Sequence, residues 1–163
     1  MAQKFCIFDI TMKEIERKFT VKPSVLEVLS FLAPKKIQQG YLMDEAGKTV
    51  RVRTKGEKGY LTIKGKTTGI TRAEFEYEIP VEHALELLTN FCDKTLSKER
   101  YTLTFKEKIW EIDVFHGALE GLIVAEIELE DEAEIFEKPE WILDEVSYDP
   151  RYYNSQLVNG LKP

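Results

Sequence analysis

Two cysteines and two histidines in 163 residues leave little room for several kinds of chemistry. Cys6 and Cys92 are too few and too far apart for a metal knuckle or a disulfide framework, so a reducing, cytoplasmic setting is the expectation. His83, in a predicted helix, and His116, at a strand end, have no partner at ligand or triad spacing. No run of about 18 apolar residues occurs, so no membrane-spanning helix is predicted. Phe5 to Ile10 is apolar but interrupted by Asp9 and lacks a small-residue cleavage site, which argues against a signal peptide. The formal charge is -6 and there is no Lys/Arg-rich block to displace counterions from a phosphate backbone, so nucleic acid is not an expected partner. Repeats and low-complexity tracts are missing as well. Gly65-Lys66-Thr67 resembles the end of a phosphate-binding loop, but Gly59 is one residue too far upstream and no helix follows.

What the sequence has in quantity is charge, 32% of residues beside 43% hydrophobic, and the charge is patterned. In Glu14-Ile15-Glu16-Arg17-Lys18-Phe19, side chains two apart share a face of an extended strand. Glu14, Glu16 and Lys18 point one way, Ile15 and Phe19 the other. The alternation returns in Arg51/Arg53 against Val50/Val52, Lys64/Lys66 against Leu61/Ile63, and Glu74/Glu76/Glu78 against Phe75/Tyr77/Ile79. It continues in Lys98/Arg100/Thr102 against Tyr101/Leu103/Phe105, Glu111/Asp113 against Trp110/Ile112/Val114, and Glu126/Glu128/Glu130 against Ala125/Ile127/Leu129.

Taken in order, strands are predicted over 14–21, 37–43, 49–54, 60–64, 72–79, 95–105, 110–115 and 122–130. Tight turns near 44–47, 56–59 and 107–108 link several of them, so the sheet is largely antiparallel. Amphipathic helices are expected over 25–32 and 81–91, the second started by Pro80. Helical or irregular segments, 131–136 and 152–158, follow the last strand. Residues 1–11 read as an N-terminal extension, with Met12 the more natural beginning, and 12–163 as a single domain.

Seven cations (Lys18, Arg51, Arg53, Lys64, Lys66, Lys98, Arg100) and at least eight acids therefore share one side of the sheet. An open sheet would turn that side to water. A closed barrel would turn it inward, to line a tunnel without exposed edges. Enclosing ordered charges costs several kcal/mol per ion unless opposite charges or ligands compensate, so the tunnel implies a function. Paired carboxylates at Glu14/Glu16 and Glu126/Glu128 are hard oxygen donors suited to Mg²⁺ or Mn²⁺. The bases form a cradle for an elongated polyanion, and an oligophosphate carrying a divalent ion needs both sets at once. Trp110 and Trp141 read as packing residues. Tyr41 reads either as packing or as a phenol reaching phosphate.

The sequence resembles the CYTH superfamily, the triphosphate tunnel metalloenzymes, and in particular its short single-domain bacterial members. The E-x-E-x-K motif stands at Glu14, Glu16 and Lys18. Its company is IQQGYL around Tyr41, TVRVR with Arg51 and Arg53, LTIKGK with Lys64, and RAEFEYEIP with Glu76 and Glu78. Further along come SKERY with Lys98 and Arg100, WEIDVF with Asp113, LIVAEIELE with Glu126 and Glu128, and the closing Asp149 to Ser155. The likeness covers nearly everything from Met12 onward. Ser147-Tyr148 departs from it, standing where many relatives have Thr followed by an acid, and residues 1–11 have no counterpart.

The resemblance implies an all-β-dominated α+β fold: an eight-stranded antiparallel barrel around a tunnel, with flanking helices. It implies divalent-metal-dependent hydrolysis of a triphosphate, foremost inorganic tripolyphosphate to pyrophosphate and phosphate. Carried over by position, Lys18, Arg51, Arg53, Lys64, Lys98, Arg100 and Tyr41 would contact substrate. Glu14, Glu16, Glu126 and Glu128 would hold metal, supported by Glu76, Glu78 and Asp113, with Lys18, Glu126 and Glu128 catalytic. A small-molecule triphosphate is the expected partner, and the protein a monomer or homodimer. Thiamine triphosphatase, nucleoside triphosphatase or adenylate cyclase would use the same ions, and a non-catalytic polyphosphate-binding barrel would keep the bases without needing the paired acids.

Overall fold

Antiparallel strands follow one another along the chain: β1 (Lys13–Val21), β2 (Lys35–Glu45), β3 (Lys48–Lys55), β4 (Lys58–Gly65), β5 (Thr71–Ile79), β6 (Thr95–Phe105), β7 (Lys108–Phe115), β8 (Ile123–Glu128) and β9 (Ile142–Glu145). Helices α1 (Val25–Leu29), α2 (Val81–Phe91) and α3 (Asn154–Leu157) interrupt or follow them. The computed structural model describes residues 13–45 and 47–163. The anticipated extension, residues 1–11, lies outside them.

The sheet runs β5-β4-β3-β2-β6-β7-β8-β1-β9 and closes through an added β5–β1 pairing. β1 is the seam. One edge pairs along β8, and the other is shared: Lys13 to Ile15 pair with β5 while Phe19 and Val21 pair with β9. Between these two partners, Glu16 N–H donates to the Ile70 carbonyl at 3.4 Å and Lys18 N–H to Ser147 Oγ at 3.0 Å. Eight strands thus form the predicted barrel, and β9 is an extra strand that the sequence did not announce. It is four residues long, and its Leu143-Asp144-Glu145 has no alternation to mark it. Strand ends shift by one to two residues, α1 stops at Leu29 rather than residue 32, and of the two alternatives for 131–136 the irregular one is found.

The apolar halves of the alternation face outward. Ile15, Phe19, Trp110, Ile112, Ala125 and Ile127 form a core on the outside of the barrel, covered by Val25 and Leu29 of α1 and by Phe136 and Trp141. Phe19, Trp110, Phe136 and Trp141 pack with tilted or edge-on rings 5.7–6.3 Å apart, a geometry favoured by the ring quadrupole. Across the barrel, α2 lays Ala84 and Leu88 on Val52. The helix can approach because Gly59 leaves room: a Cβ there would stand 2.8 Å from the Ala84 Cβ.

The inward halves are ionic over most of the barrel, then change character. Leu96, Phe115 and Val124 lie on the same strand faces as Lys98, Asp113 and Glu126, two residues along, and they cluster with Leu119 and Leu157. An apolar stopper, completed from α3, therefore closes one end of the interior.

Candidate functional site: an ionic cavity inside the barrel

A cavity of about 760 Å³ occupies the ionic part of the barrel. Registers explain its lining, because facing residues on neighbouring antiparallel strands point to the same side. Lys18 faces Glu126, Glu16 faces Glu128, Glu111 faces Glu126, Thr62 faces both Arg51 and Glu76, and Lys64 faces Glu74. Lys18, Arg51, Arg53, Lys64 and Arg100 line the cavity, each less than a tenth exposed, as do Tyr41, Glu14, Glu16, Glu76, Glu126 and Glu128.

Three predicted residues are placed elsewhere. Lys98 and Asp113 are buried beneath the cavity at 1% and 0% exposure, do not line it, and bond to each other. Asp113 also receives Arg100 through Nε and Nη2, both at 2.6 Å, so its carboxylate carries three donors. Glu78 keeps the phase of Glu76 but sits at the outer end of β5, exposed and paired with Lys58 at 2.8 Å. Conversely, Arg72, Glu74 and Glu111 line the cavity, although no motif marks them as ligands. The in-phase rule reaches all three: Arg72 and Glu74 precede Glu76 at two-residue steps, and Glu111 precedes Asp113.

Inside the cavity nearly every acid is held by a base. Lys18 bonds to Glu126 and lies 2.6 Å from Glu16. Arg100 reaches Glu126 at 2.5 Å and pairs with Glu111. Lys64 sits 2.9 Å from both oxygens of Glu14 and 2.8 Å from Glu74, and Arg72 Nε donates to Glu14 at 2.5 Å. Burial alone would raise the Glu14 and Glu126 carboxyls. The facing cations, Lys64 and Arg72 for Glu14 and Lys18 and Arg100 for Glu126, outweigh it and hold both below the usual range. Burial likewise works against the Lys18 ammonium, but Glu126 and Glu16 raise it above its ordinary value.

Two groups break this balance. Glu128 has no cation within ion-pair distance among the described residues, and burial together with Glu14, Glu16 and Glu111 pushes its carboxyl upward. The Nε–H groups of Arg51 and Arg53 are buried without an acceptor among the described residues. A carboxylate repelled by its neighbours and guanidinium donors without acceptors are complementary deficits. A cation placed among the acids and an anion placed on the arginines would relieve both. The donor set fits a hard divalent ion: Glu14, Glu16, Glu126 and Glu128 offer only carboxylate oxygen. Among the described residues no group of three acids is already gathered for a metal, since lysine and arginine hold the oxygens that an ion would take.

Residues 12–153 match the CYTH domain. The chain belongs to the CYTH family. An inorganic triphosphatase of Acetivibrio thermocellus is 50% identical over 149 residues, 91% of this chain and 94% of that one. An inorganic triphosphatase of Nitrosomonas europaea is 33% identical over 151 residues, 90% of this chain and 97% of that one. Among solved structures, one described as an inorganic triphosphatase is 30% identical with a TM-score of 0.63, covering 92% of this chain and 97% of that one. A Bacillus halodurans protein described as a candidate adenylate cyclase shares the fold at 18% identity, with a TM-score of 0.57 over 74% of this chain and 83% of that one.

Proposed function

We propose that this CYTH protein hydrolyses inorganic tripolyphosphate to pyrophosphate and phosphate with Mg²⁺ or Mn²⁺, in a cytoplasmic setting. The observation that carries the reading is a pair of cavity-lining arginines whose buried Nε–H groups have no acceptor among the described residues, in the same cavity as an acid repelled by its neighbours. A bare polyanion-binding barrel would need the arginines but not Glu128.

In this reading Arg51, Arg53, Lys64 and Arg100 take the phosphate oxygens, and Lys18 exchanges its carboxylate partners for the terminal phosphoryl group. Burial pushes the Tyr41 phenol up to about 12, so it stays protonated and serves as a donor. Glu14, Glu16, Glu126 and Glu128, freed as the phosphates draw off their cations, would hold the metal. When bound, the divalent ion would neutralise oligophosphate charge and acidify the attacking water. That water forms a new bond to the terminal phosphorus while the bond to the bridging oxygen breaks. Pyrophosphate leaves with the electron pair, and Glu126 or Glu128 accepts the water's proton. Asp113, its oxygens engaged by Arg100 and Lys98, holds Arg100 in place rather than coordinating metal. Lys98 acts through Asp113, and Glu78 has no part.

The lining favours a small inorganic substrate. Its only aromatic side chains among the described residues are Tyr41 and Tyr153, which gives a nucleobase or thiamine ring little to stack on. Phosphate release from tripolyphosphate, ATP and thiamine triphosphate, with Mg²⁺, Mn²⁺ or EDTA, tests the reading. Tripolyphosphate should be cleaved fastest and EDTA should abolish turnover. Preferred cleavage of ATP to cyclic AMP and pyrophosphate would replace it with a cyclase.

A further inference from the structure

Thr62 stands at the middle of β4, facing inward with no exposed surface. Its hydroxyl accepts from Arg51 Nη2 at 3.1 Å and meets Glu76 Oε2 at 2.8 Å. A guanidinium can only donate and an ionised carboxylate only accept. The Thr62 proton therefore points at Glu76. Arg53 Nη2 donates to both Glu76 oxygens, at 3.1 and 2.9 Å, and Arg51 Nη2 reaches Oε2 at 3.3 Å. The Glu76 carboxyl is accordingly held below its usual range: Arg53, the Thr62 hydroxyl and Arg51 outweigh its burial.

This cluster differs from the other ion pairs of the cavity. Lys18, Lys64 and Arg100 face acids that also fit a metal, and their pairing must loosen when ligands enter. Glu76 has donors on both oxygens, one of them the hydroxyl of Thr62, which is fully buried and does not line the cavity. Arg51 and Arg53 are thus fixed through one nitrogen each, while Nε and Nη1 remain to be used.

We propose that Thr62 is a positioning residue: with Glu76 it clamps Arg51 and Arg53 so that their remaining N–H donors are presented together to one anion. The clamp rests on the reading of the cavity as an oligophosphate site, but not on cleavage of the bound anion. Orienting two arginines before the ligand arrives removes the ordering that binding would otherwise have to supply.

The test compares T62V, T62S and E76Q by tripolyphosphate calorimetry in EDTA, where nothing turns over, and by steady-state kinetics with Mg²⁺. T62V should weaken binding and raise KM about tenfold, the size expected for losing one hydrogen bond to a charged group, with a smaller change in kcat. T62S should stay close to wild type. E76Q should raise KM as well, and T62V/E76Q should lose no more than the worse single variant, because both changes dismantle one device. Wild-type binding by T62V, equal impairment of T62S and T62V, or additive losses in the double variant would each overturn the clamp. If T62V does not fold, E76Q and T62S decide alone: E76Q with an unchanged KM overturns the clamp. A wild type that binds tripolyphosphate without cleaving it ends the hydrolase reading and leaves the calorimetry to decide on Thr62. A wild type that binds no oligophosphate overturns both.

Discussion

Lys18 lies between two carboxylates, bonded to Glu126 and 2.6 Å from Glu16, with its side chain only 10% exposed. Removing one partner of a buried pair costs about 3–5 kcal/mol because the remaining charge is stranded. Lys18→Met should therefore lose stability as well as turnover. In EDTA its urea midpoint should fall clearly below wild type, and Mg²⁺ should restore part of the loss by supplying positive charge to the two acids. If Mg²⁺ gives no recovery, Glu16 and Glu126 are not a cation site.

The same network sets the response to acid. Glu14, Asp113 and Glu126 are all held below their ordinary values by facing lysines and arginines. A depressed carboxyl contributes stability above its unfolded value, about 4, and that stability is lost as pH falls through the folded value. The thermal midpoint should not fall between neutrality and about pH 5, where the raised Glu128 and Glu74 carboxyls favour the folded chain as they take up protons, and should drop steadily below pH 4. Glu14→Gln should start lower and decline less steeply, and a parallel curve would show that Glu14 does not contribute. Lys98 adds a second rise of stability with pH, at the alkaline end. Burial pulls its ammonium down to about 8 against Asp113, so between there and its ordinary value near 10 the unfolded chain holds the extra proton and stability rises with pH. Lys98→Met should abolish that rise.

Much of this is legible in the amino-acid sequence itself. The two-residue alternation located seven of the eight barrel strands and named most of the lining, because side-chain direction in a strand is fixed by backbone geometry. What it could not supply was position along the barrel axis. Glu76 and Glu78 share a phase, yet one meets Arg53 and the other meets solvent and Lys58. Lys98 and Arg100 share a phase as well, yet the cavity ends between them, where Leu96, Phe115 and Val124 turn the interior apolar. Depth depends on strand stagger, which emerges only when the ring closes. Thr62 gave no signal, since a lone threonine in a strand is ordinary. β9 was hidden because pairing with the seam strand, rather than its own pattern, makes it a strand.

A remote change should stabilise the fold without touching the site. The β6–β7 hairpin turns through Lys106 and Glu107, both exposed and both at positive φ, 48° and 64°. Side chains with a Cβ are disfavoured there, while Asn-Gly suits such two-residue turns. K106N/E107G should gain about 1 kcal/mol, or about 2–4 °C in Tm, with kcat and KM unchanged. A lower Tm would mean that the two side chains carry contacts beyond the turn.

Glu128 gives the sharpest separation between holding the empty barrel together and holding a metal. It faces Glu16 across the β1–β8 pairing and is raised by burial and by the acids around it. Without metal its charge works against folding, since a carboxyl raised in the folded state favours the unfolded chain once ionised. Glu128→Gln should accordingly leave the EDTA Tm at pH 7 equal to or slightly above wild type. With Mg²⁺ present the order should reverse, because wild type gains the stabilisation that a bound ion confers on the native state and the variant gains much less. Turnover should fall with that lost response. A Glu128→Gln protein that loses stability in EDTA, or that keeps the wild-type Mg²⁺-dependent gain, would remove Glu128 from the metal set and shift that role to Glu14, Glu16 and Glu126.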